Sequence, residues 1–173
     1  MNTSAQATLE ERAAGIRLAV FDVDGVLTDG RIILGPDGDE YKAFHVRDGH
    51  GLVRLRESGV LIAVITGRRS AALERRMQEL GVDHVHQGIR DKRTCLLELL
   101  GRLGLTATQT CYVGDDLPDL PALQMVGLPV AVADACPEVI DAAAWVTGVG
   151  GGHGAAREVC DRLLKAQSAT AGP

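Results

Sequence analysis

The chain is predicted to take an α/β fold of three layers, α/β/α and Rossmann-like, around a mostly parallel sheet. Three observations carry this. Short apolar runs, with residues 18–21 (Leu-Ala-Val-Phe) first among them, read as strands covered on both faces. Helical patterns lie between those runs, as parallel crossovers require. Polar and acidic residues follow several of the runs, where an open α/β sheet has its functional crevice, at the carboxyl ends of the strands.

Taken in order, residues 1–15 form an expected flexible N-terminal segment, with a short helix late in it. The strand at 18–21 ends in Asp22 and Asp24, and Gly25 allows a sharp turn. Residues 31–34 and 40–44 flank the turn-rich stretch Gly35-Pro36-Asp37-Gly38-Asp39, which predicts a β-hairpin insertion over 29–45. A two-stranded hairpin is marginal alone, so it is expected to find cover on a partner subunit. Residues 45–51 read as a polar, glycine-rich lead into a helix over 52–57, closed by Gly59. A second buried strand spans 60–65 and ends in Thr66-Gly67-Arg68. A helix follows at 70–80, then a short strand at 82–86. Residues 91–103 predict a helix whose Leu96, Leu97, Leu99, Leu100 and Leu103 make one broad apolar face. A strand at 109–113 runs into Gly114-Asp115-Asp116. After it come a helix at 119–126, a strand at 128–132, a short helix at 138–143 and a last strand at 144–146. The glycine cluster within 148–154 precedes a final helix at 155–165, and residues 166–173 are expected to fray. No repeat or linker divides residues 16–165, so one domain is expected.

Composition narrows the function. A chain of 173 residues with 46% hydrophobic content can build a proper core. A net charge of −5 and 3% aromatic content argue against nucleic acid, which wants clustered Lys and Arg and stacking rings. Cys95, Cys111, Cys136 and Cys160 have neither zinc nor dithiol spacing and read as inert thiols in a reducing compartment. The polar first residues and the absence of an 18-residue apolar run point to the cytoplasm.

The chemistry gathers at strand ends. Two carboxylates after a buried strand are costly unless compensated, and such groups commonly hold a hard cation. Asp22 and Asp115 can hold magnesium, and the cation lets one carboxylate attack phosphorus and form an aspartyl-phosphate. Thr66 can donate to a phosphoryl oxygen, and Lys92 supplies fixed positive charge. Lys92 at a helix start opposes the helix dipole, which favours a negative group nearby. Asp24 can pass a proton to the leaving oxygen and then activate water. Arg47 and Arg68 suit a substrate carboxylate.

The stretches Asp22-Val23-Asp24-Gly25-Val26, Ile65-Thr66-Gly67-Arg68, Lys92 and Gly114-Asp115-Asp116-Leu117-Pro118-Asp119 together resemble the haloacid dehalogenase-like phosphatases. The likeness narrows to the 3-deoxy-D-manno-octulosonate 8-phosphate phosphatase family on Val26-Leu27-Thr28-Asp29-Gly30, Lys42-Ala43-Phe44-His45-Val46-Arg47-Asp48-Gly49 and Gly151-Gly152-His153-Gly154. It covers residues 16–165. The resemblance implies a capless, magnesium-dependent phosphomonoesterase serving lipopolysaccharide core synthesis. Asp22, Asp24, Thr66, Lys92, Asp115 and Asp116 are its implied catalytic residues. Asp22, the Asp24 carbonyl and Asp115 are implied metal ligands, and Asp116 and Asp119 orient metal or lysine. Implied substrate contacts are Asp24, His45, Val46, Arg47, Asp48, Gly49, Val53, Gly67, Arg68, Arg76 and Lys92. The family implies a homotetramer with packed hairpins and a C-terminal segment near a neighbouring site. His45 departs from the Asn expected there. An N-acylneuraminate 9-phosphate substrate and a non-catalytic assembly module are the alternatives.

Overall fold

β1 (Leu18–Phe21) lies at the centre of the molecule, and each of its four residues is buried. In the computed structural model, which describes residues 8–170, it pairs in parallel with β4 (Leu61–Thr66) on one side and β6 (Thr110–Gly114) on the other. Phe21 stands opposite both Val64 and Val113, so the carboxyl ends of the three strands open at one level. β5 (His84–Gln87) extends the sheet beyond β4, and β7 (Leu128–Ala131) and β8 (Trp145–Val146) extend it beyond β6. The order is β5-β4-β1-β6-β7-β8, parallel throughout. This is the α/β/α fold expected.

Helices cover both faces. α1 (Leu9–Ala14), α2 (Val46–Glu57), α3 (Ala71–Leu80) and α7 (Ala155–Thr170) pack in one group. α4 (Lys92–Leu103), α5 (Leu120–Leu123) and α6 (Pro137–Ala142) pack in the other. Their starts are chemically marked. Thr8 and Glu11 form a capping box on α1, Ser70 caps α3 and Asp91 caps α4. Within the segment expected to be flexible, residues 9–14 are therefore an ordered helix, packed on α7. α7 itself runs to Thr170, past the expected limit at 165, with Leu163 and Ala166 buried.

Three expectations need correction. Residues 46–51, expected as a loop, are the first turns of α2, with His45 as its cap. Gly49 and Gly51 are there for space. A Cβ at 49 would lie 2.3 Å from Arg76 Nη2, and one at 51 would lie 2.9 Å from Arg157 Cδ, so the glycines let α3 and α7 approach closely. The helix expected over 119–126 is shorter: a 3₁₀ turn at Leu117–Asp119 leads into α5, which stops at Leu123. Leu97 is 48% exposed and leaves the apolar face of α4 to Leu96, Leu99 and Leu100.

The hairpin consists of β2 (Ile33–Leu34) and β3 (Glu40–Tyr41), antiparallel, closed by Gly35 N–H to Asp39 O at 2.7 Å. Ile32, Leu34 and Tyr41 are more than half exposed. The turn at Gly38 has φ +83°, which glycine takes without strain.

Candidate active site

The cleft at the carboxyl ends of β4, β1 and β6 has a volume of about 440 Å³. It is lined by Asp22, Asp24, Thr66, Gly67, Arg68, Ile89, Arg90, Lys92, Asp115, Asp116, Pro118 and Asp119. All six expected catalytic residues are thus brought together.

Asp22 follows β1 directly, its backbone N–H donating to Val113 O at 3.0 Å, and its side chain is almost fully buried. Lys92, on the first turn of α4, reaches across to it: Nζ lies 3.0 Å from Asp22 Oδ2 and 2.7 Å from Asp119 Oδ1. The negative partner that its place at a helix start demanded is therefore present twice. Burial alone pushes the Lys92 amine down, but the two carboxylates more than reverse this and its pKa is raised.

Asp119 is the keystone of the arrangement and is 0% exposed. Its Oδ1 accepts from Lys92 and, at 2.8 Å, from the Tyr112 hydroxyl. Its Oδ2 accepts from the backbone N–H of Asp115 at 3.2 Å and of Asp116 at 3.4 Å. One carboxylate thus fixes the lysine and the β6 loop together. Asp116 is exposed and caps the 3₁₀ turn, accepting from Leu117 N–H at 2.8 Å. Thr66 is 2% exposed at the end of β4.

Carboxylate oxygens of Asp22, Asp115 and Asp119 lie within 4.8 Å of one another. Asp22 Oδ1 and Asp115 Oδ1 are buried with no hydrogen-bond partner, while both Asp119 oxygens are used. Two orphaned anionic oxygens side by side fit a hard cation. Asp22 and Asp115 are its natural holders, with Asp119 serving the protein framework. Burial, then the charge of Asp119, raises Asp22 to about 6. Burial, then the charges of Asp22 and Asp119, raises Asp115 to about 8.

The glycines around this site are seats for neighbours. Gly25 has φ +95°, and a Cβ there would lie 2.0 Å from Asp115 Oδ2. Behind it, a Cβ on Gly151 would lie 1.7 Å from Gly25 O, and Gly152 N–H donates to Val26 O at 3.0 Å. The cluster at 148–154 is a wedge behind the Asp22 loop of its own chain. Asp134 Oδ1 accepts from Gly151 N–H at 2.9 Å and holds it there.

Of the expected substrate contacts, Asp24, Gly67, Arg68 and Lys92 line the cleft. His45, Asp48, Gly49 and Arg76 instead border a separate, water-sized pocket with Leu27 and Phe44. Val46 and Arg47 face solvent, and Val53 packs on the core. Asp48 ties two helices together. It is 2% exposed, and its Oδ1 accepts from Arg157 N–H at 2.8 Å in the first turn of α7. Its carboxyl is raised, chiefly by burial.

Sequence reasoning missed Lys42 and Glu40. Lys42, whose side chain is 4% exposed, pairs with Asp24 and lies 2.9 Å from Glu40 Oε1. Glu40 pairs in turn with Arg68, whose Nε is 3.9 Å from Asp24 Oδ2. The Lys42 ammonium beside it, then the contact with Arg68, hold the Glu40 carboxyl below its ordinary range. Only the alternation of Glu40 and Lys42 across one hairpin residue hinted that both point one way.

A family model described as haloacid dehalogenase-like hydrolase matches residues 85–159. The 3-deoxy-D-manno-octulosonate 8-phosphate phosphatase of Yersinia pestis is 51% identical over 157 residues, 91% of this chain and 84% of the relative. The crystal structure of the Moraxella catarrhalis enzyme of that name, in complex with magnesium, phosphate and a KDO molecule, superposes with a TM-score of 0.91. It is 45% identical and covers 92% of each chain. The cobalt-bound form of the Haemophilus influenzae phosphatase gives a TM-score of 0.88 at 42% identity, covering 91% of this chain and 92% of that one.

Proposed function

This chain belongs to the haloacid dehalogenase-like hydrolases and, within them, to the 3-deoxy-D-manno-octulosonate 8-phosphate phosphatases, and we propose that it hydrolyses that phosphomonoester to the free sugar acid and phosphate. The observation that carries the proposal is the position of Lys92, bridging Asp22 and Asp119 beside the free oxygen of Asp115. A phosphoryl group entering there meets a nucleophile, a fixed cation and the two unpartnered oxygens.

Asp22 and Asp115, with the Asp24 carbonyl, would hold magnesium, which when bound neutralises phosphoryl oxygens and lets a carboxylate approach phosphorus. Asp22 attacks phosphorus, with Lys92 steadying its carboxylate, and the ester oxygen leaves with a proton from Asp24. Asp24 then takes a proton from water, which attacks phosphorus and frees Asp22. Thr66 and Lys92 donate to the phosphoryl oxygens through both steps. Arg68 receives the substrate carboxylate at the mouth of the cleft.

The capless cleft is open, so neighbouring copies complete the selection. The apolar hairpin residues Ile32, Leu34 and Tyr41 pack together in a homotetramer, which brings the contacts implied for His45–Gly49, Val53 and Arg76 into use between chains. The setting is cytoplasmic supply of the lipopolysaccharide core sugar. No helix among the described residues is long and apolar enough to cross a membrane. Steady-state release of phosphate, with magnesium and with EDTA, tests the assignment on octulosonate 8-phosphate, N-acylneuraminate 9-phosphate and an aryl phosphate. A kcat/KM for octulosonate 8-phosphate no higher than for the aryl phosphate refutes the substrate.

A further inference from the structure

The cleft mouth holds a chain of four alternating charges, Asp24, Lys42, Glu40 and Arg68, two from the body and two from the hairpin. Its members differ in access. The Lys42 side chain is 4% exposed and the Arg68 side chain 43%. Desolvated pairs hold, whereas half-exposed ones exchange readily. The exchangeable link is therefore Glu40 with Arg68.

We propose that Glu40 is a built-in competitor for the substrate carboxylate: it occupies Arg68 in the empty cleft, yields it to an acidic sugar phosphate, and reclaims it as the sugar acid leaves. The inference rests on the reading of Arg68 as the carboxylate receiver. Three features support it. Glu40 is itself a carboxylate, so its place on the guanidinium is one that a sugar acid can take with the same geometry. Lys42, 2.9 Å from Glu40 Oε1 and shared with Asp24, stays beside Glu40 after release, so that carboxylate keeps a cation next to it. And Glu40 sits on the hairpin, whose β2–β3 ladder spans only Ile33–Leu34 and Glu40–Tyr41, so a small shift of that element suffices. A competitor inside the site raises the Kd of every carboxylate-bearing ligand in inverse proportion to the fraction of time Arg68 is free, and leaves other phosphates untouched.

The test compares 3-phosphoglycerate with glycerol 3-phosphate as inhibitors of p-nitrophenyl phosphate hydrolysis by the magnesium-loaded enzyme. The two differ by the carboxylate alone. Glu40→Gln is expected to lower the inhibition constant of 3-phosphoglycerate at least threefold relative to that of glycerol 3-phosphate. Glu40→Asp keeps the charge for Lys42 but falls one methylene short of Arg68, and moves the ratio the same way. In an Arg68→Gln background the ratio no longer responds to Glu40→Gln. Equal changes for both inhibitors, or a response that survives in Arg68→Gln, overturn the proposal. Failure of the wild-type enzyme to turn over octulosonate 8-phosphate is a separate result: it removes the substrate assignment, while the inhibitor pair still decides the competitor.

Discussion

Removing the charge of Asp115 should stabilise the metal-free protein and destroy its response to magnesium. Asp22 and Asp115 are raised to about 6 and about 8, above the ordinary 3.8. A carboxyl raised in the folded state binds protons there that the unfolded chain has released. Its contribution is full below about pH 4 and is lost as pH climbs through the folded value. Asp22 is 7% exposed, and its displacement amounts to about 3 kcal/mol, roughly half of it falling above pH 5. Asp115 extends the loss toward pH 8 and beyond. At about 2–4 °C per kcal/mol for a chain of this size, Asp22 alone lowers the metal-free Tm by about 3–6 °C between pH 5 and 8.5. Magnesium at 100 times its Kd returns about 2.7 kcal/mol, hence about 5–11 °C, at pH 8.5, and less at pH 5 where protons compete. Scanning calorimetry with EDTA or magnesium at the two pH values reads all of this. Asp115→Asn should melt higher than wild type in EDTA at pH 8.5 and show no magnesium increment. Equal magnesium increments at both pH values, or an Asp115→Asn protein less stable than wild type in EDTA at pH 8.5, would refute the electrostatic account.

Asp22→Ala should lose at least about 10³ in kcat, since covalent catalysis has no substitute there; phosphate release together with circular dichroism separates this from unfolding. Asp119→Ala strips both Lys92 and Tyr112 of a buried partner, so urea unfolding should show a loss of about 3–5 kcal/mol. Gly151→Ala drives a Cβ into the carbonyl of Gly25 and should cost about 1–3 kcal/mol, with kcat falling more than KM changes; an unchanged kcat contradicts the wedge. Light scattering should find a tetramer at micromolar concentration, and Leu34→Glu should break it; a monomeric wild type contradicts the hairpin packing.

The sheet and the reactive strand ends were legible because burial and charge sit side by side there. Leu18–Phe21 followed by two aspartates admits few other readings, and the unfavourable position of Lys92 on a helix already asked for an anion. What escaped has a common cause, which is distance along the chain. Lys42 meets Asp24 across 18 residues, and Asp48 accepts from the first turn of a helix 109 residues on. No periodicity marks such pairs. Gly49 and Gly51 misled for a related reason: they look like loop formers in sequence, and only the closeness of Arg76 and Arg157 shows that they make room inside a helix.

The seam between Gly25 and Gly151 also orders events during synthesis. The Asp22 loop leaves the ribosome early, and the glycines that press on its back leave late. A nascent chain ending after Asp119 carries every acidic group of the site yet nothing behind Gly25 to hold the loop in place. Phosphatase activity is therefore expected only once Gly151 and α7 have been made, and in a translation reaction its onset should time the docking of α7.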